Sequence, residues 1–423
     1  MLLVYGALVM GGIETFFVRL MKSRNKKGLV TKIILTQPAD ASHPELLREA
    51  KKYGEVFFIK ELFSLPAPVL NIIPKAFYPS LPANKQLIGE IFNNVTQVHV
   101  SDAFSGIVAY SLQSKFEKKI PITVGFYHSK EFLWGARRDL PFFEKVNREF
   151  VFNCLPPRNL ILFNESFVSL YERNGRDISE ANCFPIGVVE KTPSLSTDYA
   201  RELTNNIITV VSVGRLVDFI KYNHWTIKLV SEMKDVDIEL QYHIYGDGPL
   251  EQSLRNFAIQ LGVEEQVHFH GVLNYADFDI TVAEFDVFVG SGTAIVQASA
   301  AGVPSIVGIE NVAEPLSYGF FADIPGFSYN EDGLYEKVSV AALLKQYLRM
   351  PADDKLLLKK RHIEKAQTFS MSNCAENFEL VGKNAEKLNS LDIPIFRYCA
   401  SLLVNVVLAK LLKAHPLKFK YVD

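Results

Sequence analysis

Cysteine, tryptophan and any excess charge of one sign are scarce in this sequence. The four cysteines, Cys154, Cys183, Cys374 and Cys399, stand far apart, with no C-x-x-C pair. That spacing excludes a disulfide framework and a zinc finger, and predicts reduced, buried thiols of a cytoplasmic protein. Lys and Arg number 45 against 47 Asp and Glu, a net charge of −2, which speaks against a general nucleic-acid binder. No G-x-G-x-x-G follows the first apolar run, so a nicotinamide oxidoreductase is a poor reading. Internal repeats and low-complexity tracts are absent. Met1–Met10 is apolar, but no basic residue precedes it, Gly11-Gly12 breaks it, and Glu14 and Arg19 follow. A strand, a glycine turn and a helix explain that start better than a signal peptide does.

What is present is ordinary globular composition, 48% apolar and 22% charged over 423 residues. That length predicts two domains, each with a full core. The charge is unevenly shared. Residues through Asp198 carry 24 Lys and Arg against 19 Asp and Glu, and the remainder 21 against 28. A mildly basic first half suits an acidic membrane surface or a phosphate-bearing acceptor.

The chain is organised around Thr209–Lys221, TVVSVGRLVDFIK. Val210–Val213 is a short continuous apolar run, the pattern of a buried parallel strand. Gly214 permits a tight turn at its carboxyl end, where open α/β sheets bind ligands. Arg215 and Lys221 place a planar fork and a point charge beside that turn, a pairing suited to a diphosphate. Two surface cations flanking an ordinary strand is the plainer reading. Further on come Gly246-Asp-Gly-Pro249, the run Leu261–Gly271, then Phe285-Asp-Val-Phe-Val-Gly-Ser-Gly-Thr293 and Gln297-Ala-Ser-Ala-Ala-Gly-Val-Pro-Ser305.

The first half alternates strand and helix, the pattern of a doubly wound parallel sheet. Leu2–Leu8, Lys32–Thr36, Val56–Ile59, Gln97–Val100, Ile122–Tyr127 and Leu160–Asn164 read as strands. Ile13–Lys22 and Pro44–Tyr53 read as helices. Gly11 and Gly12 free backbone N–H groups at a helix start to face an anion, or simply make a tight turn. Leu62–Pro82 holds five prolines among bulky apolar residues, either a membrane- or lipid-facing segment or a core connection. His99 lies inside its strand and is expected in the core. His128 follows a strand end, where such folds place reactive groups, or it simply faces solvent. Glu190–Asn206 is polar and suits a linker. Ala341–Leu348 and Lys355–Ala366 read as helices. Tyr398–Leu412 is apolar with lysines at its end. It is short of the roughly 20 residues that span a bilayer, leaving a surface-lying anchor or a helix packed across two domains.

The ordered motifs between Ile207 and Asn330 resemble the nucleotide-sugar half of glycosyltransferase family 4, the retaining enzymes of GT-B fold. The first half resembles the family more loosely. Gly11-Gly12-Ile-Glu-Thr15 is similar to the family's glycine-rich first loop, and Phe184-Pro-Ile-Gly-Val188 to its Pro-x-Gly-Val turn at the last strand pieces of the first domain. Phe369-Ser-Met-Ser372 is similar to its crossover into a terminal helix. The resemblance implies an α/β protein with two Rossmann-like doubly wound parallel-sheet domains facing an interdomain cleft. Residues 1–190 would be the acceptor-binding domain, 191–206 a linker, 207–370 the nucleotide-sugar domain and 371–423 a helical segment returning to the first. It also implies a metal-independent enzyme with no cofactor, using a nucleotide-diphosphate sugar as donor. The acceptor would be a glycan, often lipid-linked, reached at the inner membrane surface.

On this resemblance Arg215, Lys221 and His128 are the catalytic candidates. Donor-binding candidates are Gly11, Gly12, Gly214, Gly246, Gly248, Gly271, Val272, Gly292, Thr293 and Gln297. Many members carry two glutamates with seven residues between them. Here Gln297 stands at the second position and Val289 at the first, as in a variant similar to surface-polysaccharide (capsule or O-antigen) transferases. A member that binds a nucleotide sugar or glycan without turnover is the alternative.

Overall fold

The computed structural model describes residues 1–116, 119–129, 131–132, 140–190, 207–234, 238–388 and 392–412. The chain divides into two compact units, Met1–Gly187 with Met371–Asp423, and Val188–Ser370. The polar stretch 191–206, expected as a linker, lies outside the described residues.

The first unit is built on seven parallel strands: β1 Leu2–Tyr5, β2 Lys32–Leu35, β3 Glu55–Phe58, β4 Val98–Val100, β5 Ile122–Phe126, β6 Leu160–Leu162 and β7 Asn182–Cys183. Their order is β3-β2-β1-β4-β5-β6-β7. The reversal beside β1 sets a crevice at the carboxyl ends of β1 and β4. Helices alternate with the strands: α1 Gly12–Lys26, α2 Pro44–Tyr53, α3 Ala67–Ile72, α4 Lys85–Phe92, α5 Ala103–Phe116, α6 Phe142–Glu149 and α7 Glu165–Arg173. Local chemistry sets their ends. Pro44 opens α2, while the Asn84 and Asn164 side chains accept backbone N–H groups at the starts of α4 and α7. Those caps satisfy donors that the first helical turn otherwise leaves unpaired.

Several expectations need correcting. β1 stops at Tyr5, short of Leu8, because Gly6 starts the turn into α1. Phe184–Val188 forms no strand; the last one is Asn182–Cys183, two residues earlier. Leu62–Pro82 is broken by its prolines into the short α3 and a 3₁₀ turn over Lys75–Ser80. Cys183 is exposed, whereas the other three cysteines are buried.

The second unit has five parallel strands: β8 Ile207–Val213, β9 Glu239–Tyr245, β10 Val267–Gly271, β11 Val287–Gly290 and β12 Ser305–Val307, ordered β10-β9-β8-β11-β12. Around them lie α8 Tyr222–Lys234, α9 Glu251–Gln260, α10 Phe278–Val282, α11 Gly292–Ala300, α12 Val340–Arg349 and α13 Ala352–Gln367. Val210, Val287, Val289 and Ile306 are fully buried at its centre. The chain then returns to the first unit in α14 Met371–Asn384, whose Met371, Cys374 and Phe378 join that unit's core, and α15 Ile395–Leu411. Among the described residues, no helix is long and apolar enough to cross a membrane.

Candidate active site

The order reversal of the second sheet falls between β8 and β11, the position at which open parallel sheets expose backbone and side chains to a ligand. Gly214 follows β8, and its N–H donates to Tyr245 O at 2.9 Å. Leu216, buried to 1%, pins the loop: its N–H donates to Asp247 O and its carbonyl accepts from Leu250 N. Arg215 is exposed between them. Lys221 immediately precedes α8 and pairs with the exposed Asp218 at 2.7 Å. The structure therefore brings Arg215 and Lys221 onto one short loop, with Lys221 already partnered by a carboxylate that an incoming diphosphate would have to displace.

Gly246 and Gly248 belong to the same layer. Both have positive φ, and a Cβ on Gly246 would lie 1.8 Å from Gly214 O, one on Gly248 2.4 Å from Leu216 O. Only glycine allows this loop to press against the Arg215 loop. Gly246 N–H donates to Gly271 O, and Val272 beyond it is 60% exposed. On one face of β9 and β10, alternate residues form an aromatic row. Tyr245 stacks on His270 at 4.4 Å, and His243 Nδ1 lies 3.0 Å from His270 Nε2. The motif pattern does not single out this row, although the period-two spacing of its positions is the signal that would find it.

Across β8, the loop after β11 opens α11. Gly292 has φ +60, donates its N–H to Asn330 Oδ1 at 2.9 Å and accepts from the Tyr329 hydroxyl. The N–H expected to meet a phosphate is thus engaged by a side chain. Thr293 sits in the helix's first turn, partly exposed. Gln297 donates to Asp279 Oδ1 on α10 at 2.9 Å. Val289, at the position of the first family glutamate, is a fully buried strand residue. The sequence holds two Asp-x-Asp triplets, Asp235–Asp237 and Asp277–Asp279. The first lies outside the described residues, and Asp279 of the second is the partner of Gln297. Among the described residues, no group of three or more His, Cys, Asp or Glu is placed to hold a metal.

Glu310 belongs to the site without any motif to announce it. It is half-buried three residues past β12, and desolvation together with the Glu331 charge raises its pKa to about 7 although Arg215 opposes the shift. No sequence signal marks it, because its neighbours come from three distant segments.

Gly11, Gly12 and His128 belong to the first unit. Gly11 caps α1 and Gly12 begins it. The group that presses on Gly11 is the chain's own Glu14, whose Oε2 would lie 2.5 Å from a Cβ there. Glu14 also accepts from the Tyr5 hydroxyl at 2.7 Å. Burial and the charges of Glu14, Asp102 and Glu131 hold the Tyr5 phenol firmly protonated. The carboxyl ends of β1, β4 and β5 therefore gather acidic groups around Tyr5. His128 is exposed just beyond β5, its carbonyl accepting from Glu131 N at 3.2 Å. His99 is a core residue, fully buried between Thr123 and Tyr127.

Residues 200–314 match the family model described as Glycosyl transferases group 1. No curated protein matches the sequence as a whole. Among solved structures, HepE of Anabaena in complex with UDP-glucose aligns with a TM-score of 0.62 at 13% identity, covering 91% of this chain and all of that one. The lipopolysaccharide outer core galactosyltransferase WaaB aligns with a TM-score of 0.54 at 14% identity, over 90% and 99% of the two chains. Sucrose-phosphate synthase from Thermosynechococcus elongatus gives 0.62 at 13% identity, over 90% and 98%. The two parallel-sheet units and these neighbours define a GT-B fold. Together with the domain match they support a glycosyltransferase that carries a group 1 domain.

Proposed function

We propose that this protein moves a sugar from a UDP-sugar to a glycan acceptor with retention of anomeric configuration. HepE is solved with UDP-glucose, which motivates that donor. The supporting observation is the single layer that gathers Arg215, Lys221, Gly246 and Gly292 at the reversal of the second sheet. Glycosidic cleavage leaves charge on the departing diphosphate. Arg215 and Lys221 are the groups that neutralise it, each charge-assisted contact contributing about 1.5–3 kcal/mol. This reading needs no metal or cofactor. Gly11, Gly12, Gly214, Gly248, Gly271, Val272, Thr293 and Gln297 line the donor, and His128 positions donor or acceptor. A lipid-linked acceptor of surface-polysaccharide type (capsule or O-antigen), met at the cytoplasmic face of a membrane, fits the exposed apolar stripe of α15: Phe396, Val404, Val407 and Leu411.

A test is slow hydrolysis of UDP-glucose, UDP-galactose and UDP-N-acetylglucosamine. Arg215→Ala and Lys221→Ala should each lower turnover by about 10²-fold, with unfolding midpoints unchanged. Near-normal rates in both would overturn the assignment. The Gln297–Asp279 hydrogen bond and the buried Val289 favour a second reading, a nucleotide-sugar binder without turnover. Tight donor binding with no hydrolysis or transfer would establish it.

A further inference from the structure

The second unit keeps a half-buried carboxyl in the neighbourhood proposed for an anionic ligand, and the donor reading leaves it without a role. Glu310 is fastened from both sides of the reversal. Two residues before it, Gly308 N–H donates to Gly290 O, at the start of the loop into α11. One residue after it, Asn311 N–H donates to Phe219 O, in the loop that carries Arg215 and Lys221. Glu310's own N–H donates to Asn330 O, and Asn330's side chain accepts from Gly292 N. The backbone at Glu310 is thus fastened to the same loops that hold the donor candidates. β12 pairs with β11 in the register Val289↔Ile306, so Glu310 leaves the strand next to the one in which Val289 replaces an acidic residue.

Four ionisable groups face it. Arg215 comes from the loop after β8, Glu331 follows Tyr329, and the phenols of Tyr222 and Tyr329 lie within its electrostatic reach. Both phenols are held protonated by burial. Desolvation and the Glu331 charge both favour the protonated form of Glu310, and Arg215 opposes them. An ionised Glu310 would repel a diphosphate, whereas its protonated form can donate a hydrogen bond to one.

We infer that Glu310 is a proton-dependent donor-positioning residue: as a neutral carboxylic acid it donates a hydrogen bond to the β-phosphate of the donor beside Arg215. Donor binding then draws a proton from solvent onto Glu310, and affinity declines as the pH rises past neutrality. This rests on the donor reading proposed under the function.

The test is calorimetry with UDP-glucose, whose diphosphate diester has no group titrating near neutrality, in two buffers of different ionisation enthalpy. Wild type should take up a fraction of a proton at pH 7.5, and its affinity should fall up to about tenfold per pH unit above that. Glu310→Gln keeps a neutral donor. It should bind with no proton uptake and no slope, while Glu310→Ala should bind about tenfold more weakly than Glu310→Gln. A structural role alone would lower the unfolding midpoint of both variants and leave the pH slope in place. Proton-neutral binding by wild type, or an unchanged slope in Glu310→Gln, overturns this inference and leaves the donor reading standing. If wild type binds no UDP-glucose, the donor reading fails and takes this inference with it.

Discussion

Gly246 shows how much a single residue settles here. With φ at +140, a Cβ added there would sit 1.8 Å from Gly214 O, which leaves no room for alanine. Gly246→Ala must move the Arg215 loop, at a cost of about 1–3 kcal/mol for the backbone alone. The expected result is a lower midpoint in urea and weaker donor binding together; unchanged values for both would show that the two loops are not coupled. The turn at Gly214 and the glycines after β9 are legible in the sequence because their conformation follows from residue type and spacing. Glu310 is not. Its character depends on Arg215, Glu331 and Tyr222, 95, 21 and 88 positions away, and no local pattern encodes such a meeting. Gln297 is visible as a missing glutamate, but its bond to Asp279 requires the packing of α10 on α11.

At the scale of elements, α15 is packed against the first unit on one face and exposes apolar side chains on the other. Tyr398 and Cys399 are fully buried, Tyr398 donates to Asn147 Oδ1, and Phe143 N donates to Ser401 Oγ, so one face packs on α6. The opposite stripe, Phe396, Val404, Val407, Leu408 and Leu411, is between 37% and 72% exposed. Ile72 of α3 adds another apolar side chain, 83% exposed, and burial together with the nearby Lys60 lowers the Lys75 pKa. Apolar side chains beside clustered ammonium groups suit an anionic bilayer surface. Val404→Glu combined with Leu411→Glu should abolish co-sedimentation with vesicles containing phosphatidylglycerol and leave hydrolysis of a soluble donor unchanged. Undiminished pelleting would discard the anchor. Strands expected from short apolar runs lie near their expected places, since burial on both faces writes a continuous pattern. The Phe184–Val188 run misleads because apolar residues can be buried without entering a sheet: Phe184 and Val188 are 8% and 3% exposed outside any strand.

Among the described residues each unit holds one fully buried histidine, and both shape the response to acid. Burial lowers the pKa of His99 in the first sheet to about 3, and that of His362, held by Leu358 O and Ser305 N, to about 4. In the unfolded chain both return to the ordinary value of 6.5. A depressed folded pKa means that the unfolded state binds the proton first, so stability is complete above pH 6.5 and drains as the pH falls toward the folded values. Each histidine contributes a slope of about 1.4 kcal/mol per pH unit in that window. Urea unfolding at pH 7, 6, 5 and 4.5 should show stability falling below 6.5 in both units. His99→Gln should flatten the slope in the first unit only, and His362→Gln should reduce it in the second, where desolvation also lowers the half-buried His243 to about 4. Identical slopes in wild type and both variants would place the acid response in the carboxylates instead. The two sites are 263 positions apart in sequence and share no element, so their contributions should add.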